Sequence, residues 1–387
     1  MVKKIMVTAV VLLLAVTSVF AAPLRFVFGD LGQHPEILMG FLPSYLLAGA
    51  GYRPVELIEG DVTEIQLLAG LGYNQRKVWQ DPFIKGEVKK EDPIVYDVLE
   101  TDWILRFVQG FGDSSVAGKD LLTITAGYEG KLEFALDSMV KGQTRNNGIQ
   151  SVIRSLDDRI GTYDGDIYPD LRGNRTALGS VLALQLKYDE MDDRMTTTDG
   201  FVAKADLKWA PSFLNGALDG KADYYSLTLN AVAAKTVFAY SENGKDMFTI
   251  TLVDRGNVNW TDGSMVPVWA QGPVSLGRKV RGFNTWTYNT QFTAVNNFDV
   301  RFAGPNLGVK GIFPRVNLFY DIGYGCGKYF NTQISEGNFL MSTGVQVTVS
   351  FFDFIDLGYQ VAYLFSGEKF SEGTKKVVGS FTFFLDF

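Results

Sequence analysis

The sequence is poor in the side chains that most enzymes use. It has a single cysteine, Cys326, and a single histidine, His34, in 387 residues. One cysteine excludes an intramolecular disulfide framework and any paired-cysteine metal site. One histidine leaves no acid–base or Ser-His-Asp arrangement except through His34. That residue lies close to the start of the chain and reads as a rim histidine. Neither Gly-x-Ser-x-Gly nor His-Glu-x-x-His occurs. No enzyme chemistry, cofactor or metal is therefore expected. Asp164, Asp166 and Asp170 have the chemistry to hold Ca²⁺ with loop carbonyls, but they read as part of a solvated acidic loop. Basic runs are missing as well. A net charge of −7 argues against nucleic acid as a partner. After residue 22 there is no long apolar run, and a membrane-crossing helix needs about 20 such residues. Charge is sparse too, at 20%, below what a soluble chain usually carries.

The beginning of the sequence supplies the compartment. Lys3 and Lys4 precede an apolar run from Ile5 through Val16, and Val19-Phe20-Ala21 with Ala22 offers small residues to a signal peptidase. The run is too short to span a bilayer, so residues 1–21 read as a secretory signal peptide and 22–387 as the mature domain.

Period-two alternation fills that domain, the pattern of strands with two different faces. Leu182, Leu184, Leu186 and Tyr188 alternate with Ala183, Gln185, Lys187 and Asp189. Phe201, Ala203, Ala205, Leu207 and Trp209 alternate with Lys204, Asp206 and Lys208. Similar runs cover Leu122–Tyr128, Tyr225–Ala231 and Val345–Phe351. Turn-forming stretches such as Ser241-Glu242-Asn243-Gly244 and Ser366-Gly367-Glu368 separate them. Many long alternating segments in a secreted chain predict an all-β fold, a closed antiparallel transmembrane β-barrel with apolar residues toward lipid and polar ones toward the lumen. Lipid offers no hydrogen bonds, so every strand must be paired on both sides. The first strand is expected near Glu36. Two stretches read as non-strand: Met139 to Asn174, as a large extracellular loop, and Trp260 to Lys279. The last strand alternates Phe381, Phe383, Leu385 and Phe387 with Thr382, Phe384 and Asp386. An amphipathic strand that ends on an aromatic residue resembles the signal that barrel-assembly machinery reads. Phe383, Leu385 and Phe387 are thus the candidate assembly signal.

After the second loop comes Leu276-Gly277-Arg278-Lys279-Val280-Arg281-Gly282-Phe283. It resembles the Leu-Gly-Gly-x-x-x-Val-Arg-Gly-Phe/Tyr signature of the outer-membrane protein-assembly and two-partner-secretion superfamily, also called the bacterial surface antigen family, with Arg278 at the second glycine. Further matches follow the family's order. Phe319-Tyr320-Asp321-Ile322-Gly323 fits Phe-x-Asp-x-Gly. Asn297-Phe298-Asp299-Val300-Arg301 resembles Asn-x-Glu-x-Arg, with Asp for Glu. Asp189 to Gly200 fits a family turn with Asp192 kept and Met191 in place of Arg. Five strand-like segments follow the loop: 288–304, 309–325, 341–352, 355–365 and 376–387. The resemblance covers about residues 180 to 387 and implies 16 strands, with 12 to 14 as the fallback. It also implies a lumenal loop carrying Val280, Arg281, Gly282 and Phe283 at its tip. Parity adds a reason of its own. Val316, Leu318, Tyr320 and Ile322 share one face of a strand, so Phe319, Asp321 and Gly323 share the other. Asp321 then faces the lumen, where Arg281 can meet it. Gly282 permits a tight backbone there.

What the resemblance implies for function is insertion or translocation of a protein or lipid substrate at the outer membrane of a Gram-negative-type bacterium. The barrel is expected to take up the chain after residue 22, so the polypeptide-transport-associated modules that precede the barrel in many family members are expected to be missing. A periplasmic delivery partner is the corresponding expectation, beside outer-membrane lipid and the barrel-assembly machinery. Two other readings of the same scaffold are a passive diffusion pore and a surface antigen or adhesin that uses its extracellular loops.

Overall fold

The computed structural model of the chain describes residues 24–28, 36–42, 45–52, 57–78, 94–116, 119–137, 176–192, 199–215, 222–242, 245–267, 270, 276–283, 290–304, 312–329, 332–333, 338–351, 355–365 and 376–385. The strands are β1 (Leu24–Phe28), β2 (Glu36–Leu42), β3 (Tyr45–Tyr52), β4 (Thr63–Val78), β5 (Ile94–Asp113), β6 (Asp120–Asp137), β7 (Thr176–Asp189), β8 (Asp199–Ala210), β9 (Asp223–Glu242), β10 (Lys245–Met265), β11 (Phe292–Ala303), β12 (Ile312–Cys326), β13 (Lys328–Tyr329), β14 (Thr332–Gln333), β15 (Asn338–Phe351), β16 (Ile355–Leu364) and β17 (Val377–Leu385). One helical turn, α1, covers Leu276–Lys279. Among the described residues no helix is long and apolar enough to cross a membrane.

Fifteen of these strands form one meandering antiparallel sheet in sequence order, with β13 and β14 set aside as a small hairpin. Among the described residues the expected count of sixteen is therefore not confirmed. No pairing joins β1 to β17 among the described residues. In an up-and-down meander fifteen described strands leave the first and last of them running the same way. Alternation marks strands one at a time; it does not count them around a ring. Two other boundaries move. The first strand begins at Leu24 rather than near Glu36, in an apolar run that follows directly on the secretory stretch. The second loop starts after Met265 rather than at Trp260, because β10 keeps its pairing with β9 through Met265↔Asp223, with a bulge between Gly263 and Met265.

Connections differ between the two ends. Residues 243–244 join β9 to β10 and 352–354 join β15 to β16, whereas 138–175 join β6 to β7 and 266–291 join β10 to β11 at the opposite end. In transmembrane barrels short turns face the periplasm and long loops face outward. The faces are equally distinct. On β12, Val316, Leu318 and Tyr320 are 37%, 45% and 38% exposed, while Phe319 and Asp321 are 3% and 0% exposed. The apolar side chains are therefore outside and the polar ones inside, the reverse of a soluble sandwich.

Aromatic side chains bound the outer belt. Near the long-loop end Tyr225 lies 5.0 Å from Trp260, and Tyr324 lies 4.8 Å from Phe339, by ring centroids. Near the short-turn end Tyr188 and Phe201 lie 6.1 Å apart. From Phe201 to Trp209 along β8 the wall rises roughly 20 Å, at about 3.3 Å per residue and a tilt of about 40°. That is close to the apolar band of roughly 25 Å in membrane barrels.

Candidate functional site

The site is the place where the chain between β10 and β11 turns inward and meets the inner faces of β10, β11, β12, β15, β16 and β17. Its seat is apolar. Leu276, Val280 and Phe283 are buried together with Val295, Phe319, Leu340, Ala362 and Leu364, and Val378 packs on the cluster. Burying a large apolar side chain contributes roughly 1.5–3 kcal/mol, so three such residues fix the segment firmly against the wall.

Glycines make the space. A Cβ on Gly323 would lie 2.6 Å from Leu276 Cδ1 and 2.7 Å from Val280 Cγ2. Only a residue without a side chain lets β12 accept the segment this closely. Gly344 does the same for Phe319, whose Cζ would be 2.7 Å from an added Cβ. Gly282 has φ +91°, a left-handed backbone, and a Cβ there would also press on Ala362 and Leu364 at 2.8 Å.

Between Val280 and Gly282, Arg281 is turned toward Asp321. Its backbone N–H donates to Asp321 Oδ2 at 2.9 Å, its Nε to the same oxygen at 2.8 Å, and its Nη2 to Oδ1 at 2.6 Å. The two side-chain bonds form a fork that matches guanidinium to carboxylate. Arg281 Nη2 also lies 2.8 Å from Asp299 Oδ1. The other oxygen of Asp299 accepts a hydrogen bond from Arg255. The Arg281 guanidinium carbon stands 3.9 Å over the centre of the Phe319 ring, a cation–π geometry. The result is a charge-matched set of two arginines and two aspartates. Asp321 and Asp299 are 0% and 1% exposed at the side chain, and Arg281 18%. Charges so buried are tolerable only when matched and hydrogen-bonded. Just upstream, Asn297 Nδ2 donates to the Lys279 carbonyl at 3.0 Å, and Lys279 donates to Asn257.

The structure thus brings Val280, Arg281, Gly282 and Phe283 together with Phe319, Asp321 and Gly323. Phe383 and Leu385 lie on β17, in register with Leu357 and Ile355. Phe387, His34, residues 1–21, the loop from Met139 to Asn174 and its Asp164, Asp166 and Asp170 lie outside the described residues. Sequence reasoning did not find Arg255, Gly344 or the second role of Asp299. Parity places Asp299 on the inner face beside Asn297 and Arg301, but nothing in the pattern says which cation reaches it.

Elsewhere the interior is polar and interlocked. Glu129 takes Arg106 at 2.7 Å and Lys208 at 2.6 Å. Lys131 bridges Glu100 at 2.7 Å, Asp102 at 3.3 Å and Glu133 at 3.4 Å. A cavity of about 360 Å³ separates the wall around Lys204, Asp206 and Lys208 from Lys279. At the short-turn end, both Asp192 carboxylate oxygens accept from the Asp199 N–H at 3.1 Å. Met191 from the same turn is buried with Ala234 and Val253, which covers that end of the inner face. Among the described residues no group of His, Cys, Asp or Glu is placed to hold a metal ion.

These features define a barrel-like antiparallel sheet with an outward apolar belt and an inward-folded, ion-paired loop. No family model matches the chain, and no curated protein matches it. Among solved structures it is similar to BamA from Haemophilus ducreyi lacking POTRA domains 1–3, with a TM-score of 0.50 at 11% identity. That likeness covers 91% of this chain and 65% of the other. At such identity it bears on the fold alone.

Proposed function

We propose that the chain is an outer-membrane barrel whose inward loop plugs the interior, and that it inserts or translocates a protein or lipid substrate instead of conducting solutes. The observation that carries this reading is the fork between Arg281 and Asp321, seated on Gly323 and shared with Asp299. A pore gains nothing from a buried ion-pair network that ties an inward loop to its wall. A barrel that must stay sealed while its wall engages a substrate does. The superfamily resemblance of the loop and of the Phe319–Gly323 strand points the same way, and a periplasmic partner would deliver the cargo. The test is the outer-membrane composition of cells that lack the protein. Loss of a defined set of outer-membrane proteins or lipids, with small-solute uptake unchanged, supports the proposal; the reverse pattern sinks it.

A passive pore is the second reading. The polar cavity of about 360 Å³ beside Lys279 favours it, because it leaves part of the bore unfilled.

A further inference from the structure

Midway up the outer wall, β10 and β11 turn a carboxylate and an amide toward the lipid side. On β10 the outward series is Ile250, Leu252, Asp254, Gly256, Val258 and Trp260, and on β11 it is Phe292, Ala294, Asn296, Phe298, Val300 and Phe302. Asn296 Nδ2 donates to Asp254 Oδ1 at 2.6 Å, and the pair is exposed. Asn296 lies between Phe292 and Phe302, and Asp254 between Ile250 and Trp260. Both therefore sit inside the apolar belt, away from its aromatic borders. Beside them the wall is hollowed into an apolar groove of about 700 Å³, with Ala203, Ala205, Ala231, Gly256 and Ala294 on its floor and Asn296 at its edge.

A carboxylate on the lipid face is costly and marks function by default. Acyl chains bring no donor to it. Asn296 has two amide hydrogens and Asp254 four acceptor sites, so one bond between them uses a fraction of what each offers.

We propose that this face is the interface of a two-fold dimer, the groove of one protomer closing on a second copy of the chain within the membrane. The patch holds a donor and an acceptor side by side, which makes it self-complementary, as an isologous interface requires. A two-fold axis along the membrane normal keeps every residue at its own depth. Asp254 of one protomer then meets Asn296 of its partner at the same level of the bilayer. The small residues of the floor let two walls approach closely, as they do where membrane segments pack. The inference rests on the membrane reading of the sheet.

Site-directed disulfides in native membranes test it, in a Cys326→Ser background. Gly256→Cys, beside the axis and with open space for a side chain, is expected to give a disulfide-linked dimer of the chain, and Val347→Cys, on β15, is not. Asp254→Leu removes a lipid-facing charge, so the barrel should still migrate as a folded species without boiling. Its dimer fraction in lipid nanodiscs should nonetheless fall about threefold to tenfold, the scale of polar contacts in membranes. A wild-type protein that is monomeric in nanodiscs overturns the proposal. So does a dimer indifferent to Asp254→Leu, or a Gly256→Cys adduct with a different protein. Failure to enter the outer membrane at all would instead sink the membrane reading beneath it.

Discussion

At the scale of the residue, the account turns on one buried cation. Arg281 is held by two carboxylates and an aromatic face, and Asp321 is wholly buried. Removing either member of a buried pair leaves an uncompensated charge and costs roughly 3–5 kcal/mol, whereas removing both costs less. Arg281→Ala and Asp321→Ala should each lower barrel stability in urea by that order. The double variant should lose less than the sum of the two, and additive losses in the cycle would show that the pair is not coupled. Asp299 should matter next: Asp299→Asn leaves Arg281 its fork with Asp321 but takes away the carboxylate that pairs with Arg255, with an expected loss between that of a neutral swap and that of Asp321→Ala. The pair was legible before the structure because strand parity aims Asp321 inward and the Val280–Phe283 motif resembles a lumenal tip. The second aspartate was not, since a register between β10 and β11 decides that Arg255 and Arg281 converge on it, and register is not written in either strand alone.

At the scale of the element, glycine decides where the loop can lie. Gly323 stands where Leu276 and Val280 rest, and an added methyl group would sit under 3 Å from both. Gly323→Val should therefore unseat the segment while leaving the strand, whose neighbours β11 and β15 pair along its length. Cross-linking between the loop and β12 should drop, and Leu276→Ala should restore part of it by reopening space. Retained cross-linking in Gly323→Val alone would mean that the seat is looser than described. Strand positions were readable from alternation, and the turn after Asp192 from its resemblance to a family turn. The ends were less so. β10 runs on to Met265 because Tyr225 donates to Asp262 at 3.2 Å and a bulge absorbs the irregular Gly263. Composition alone makes that stretch look like a loop. The β9–β10 hairpin also extends beyond Lys235, the last residue of β9 in register with β8, leaving Val237, Phe238 and Tyr240 at least half exposed. Such a projection reflects neighbouring strand lengths and has no signature within its own residues.

At the scale of the whole molecule, the inverted pattern of apolar outside and polar inside is the one a lipid-facing sheet needs. The chain is expected to fractionate with outer membrane and to migrate faster on gels without boiling than with it. Recovery as a soluble periplasmic protein would contradict that. Removing Phe387 should slow barrel assembly, read as the yield of the fast-migrating form over time. Fold class and face assignment came from the sequence because they are period-two properties. Strand number did not, because closure depends on how the first and last strands meet. The central claim is that the inward loop plugs the interior through Arg281, and planar-bilayer recording tests it most directly. The account predicts small, erratic currents from the unmodified protein and larger, longer-lived openings from Arg281→Ala. A large, steady single-channel current from the unmodified protein, unchanged by Arg281→Ala, would contradict it.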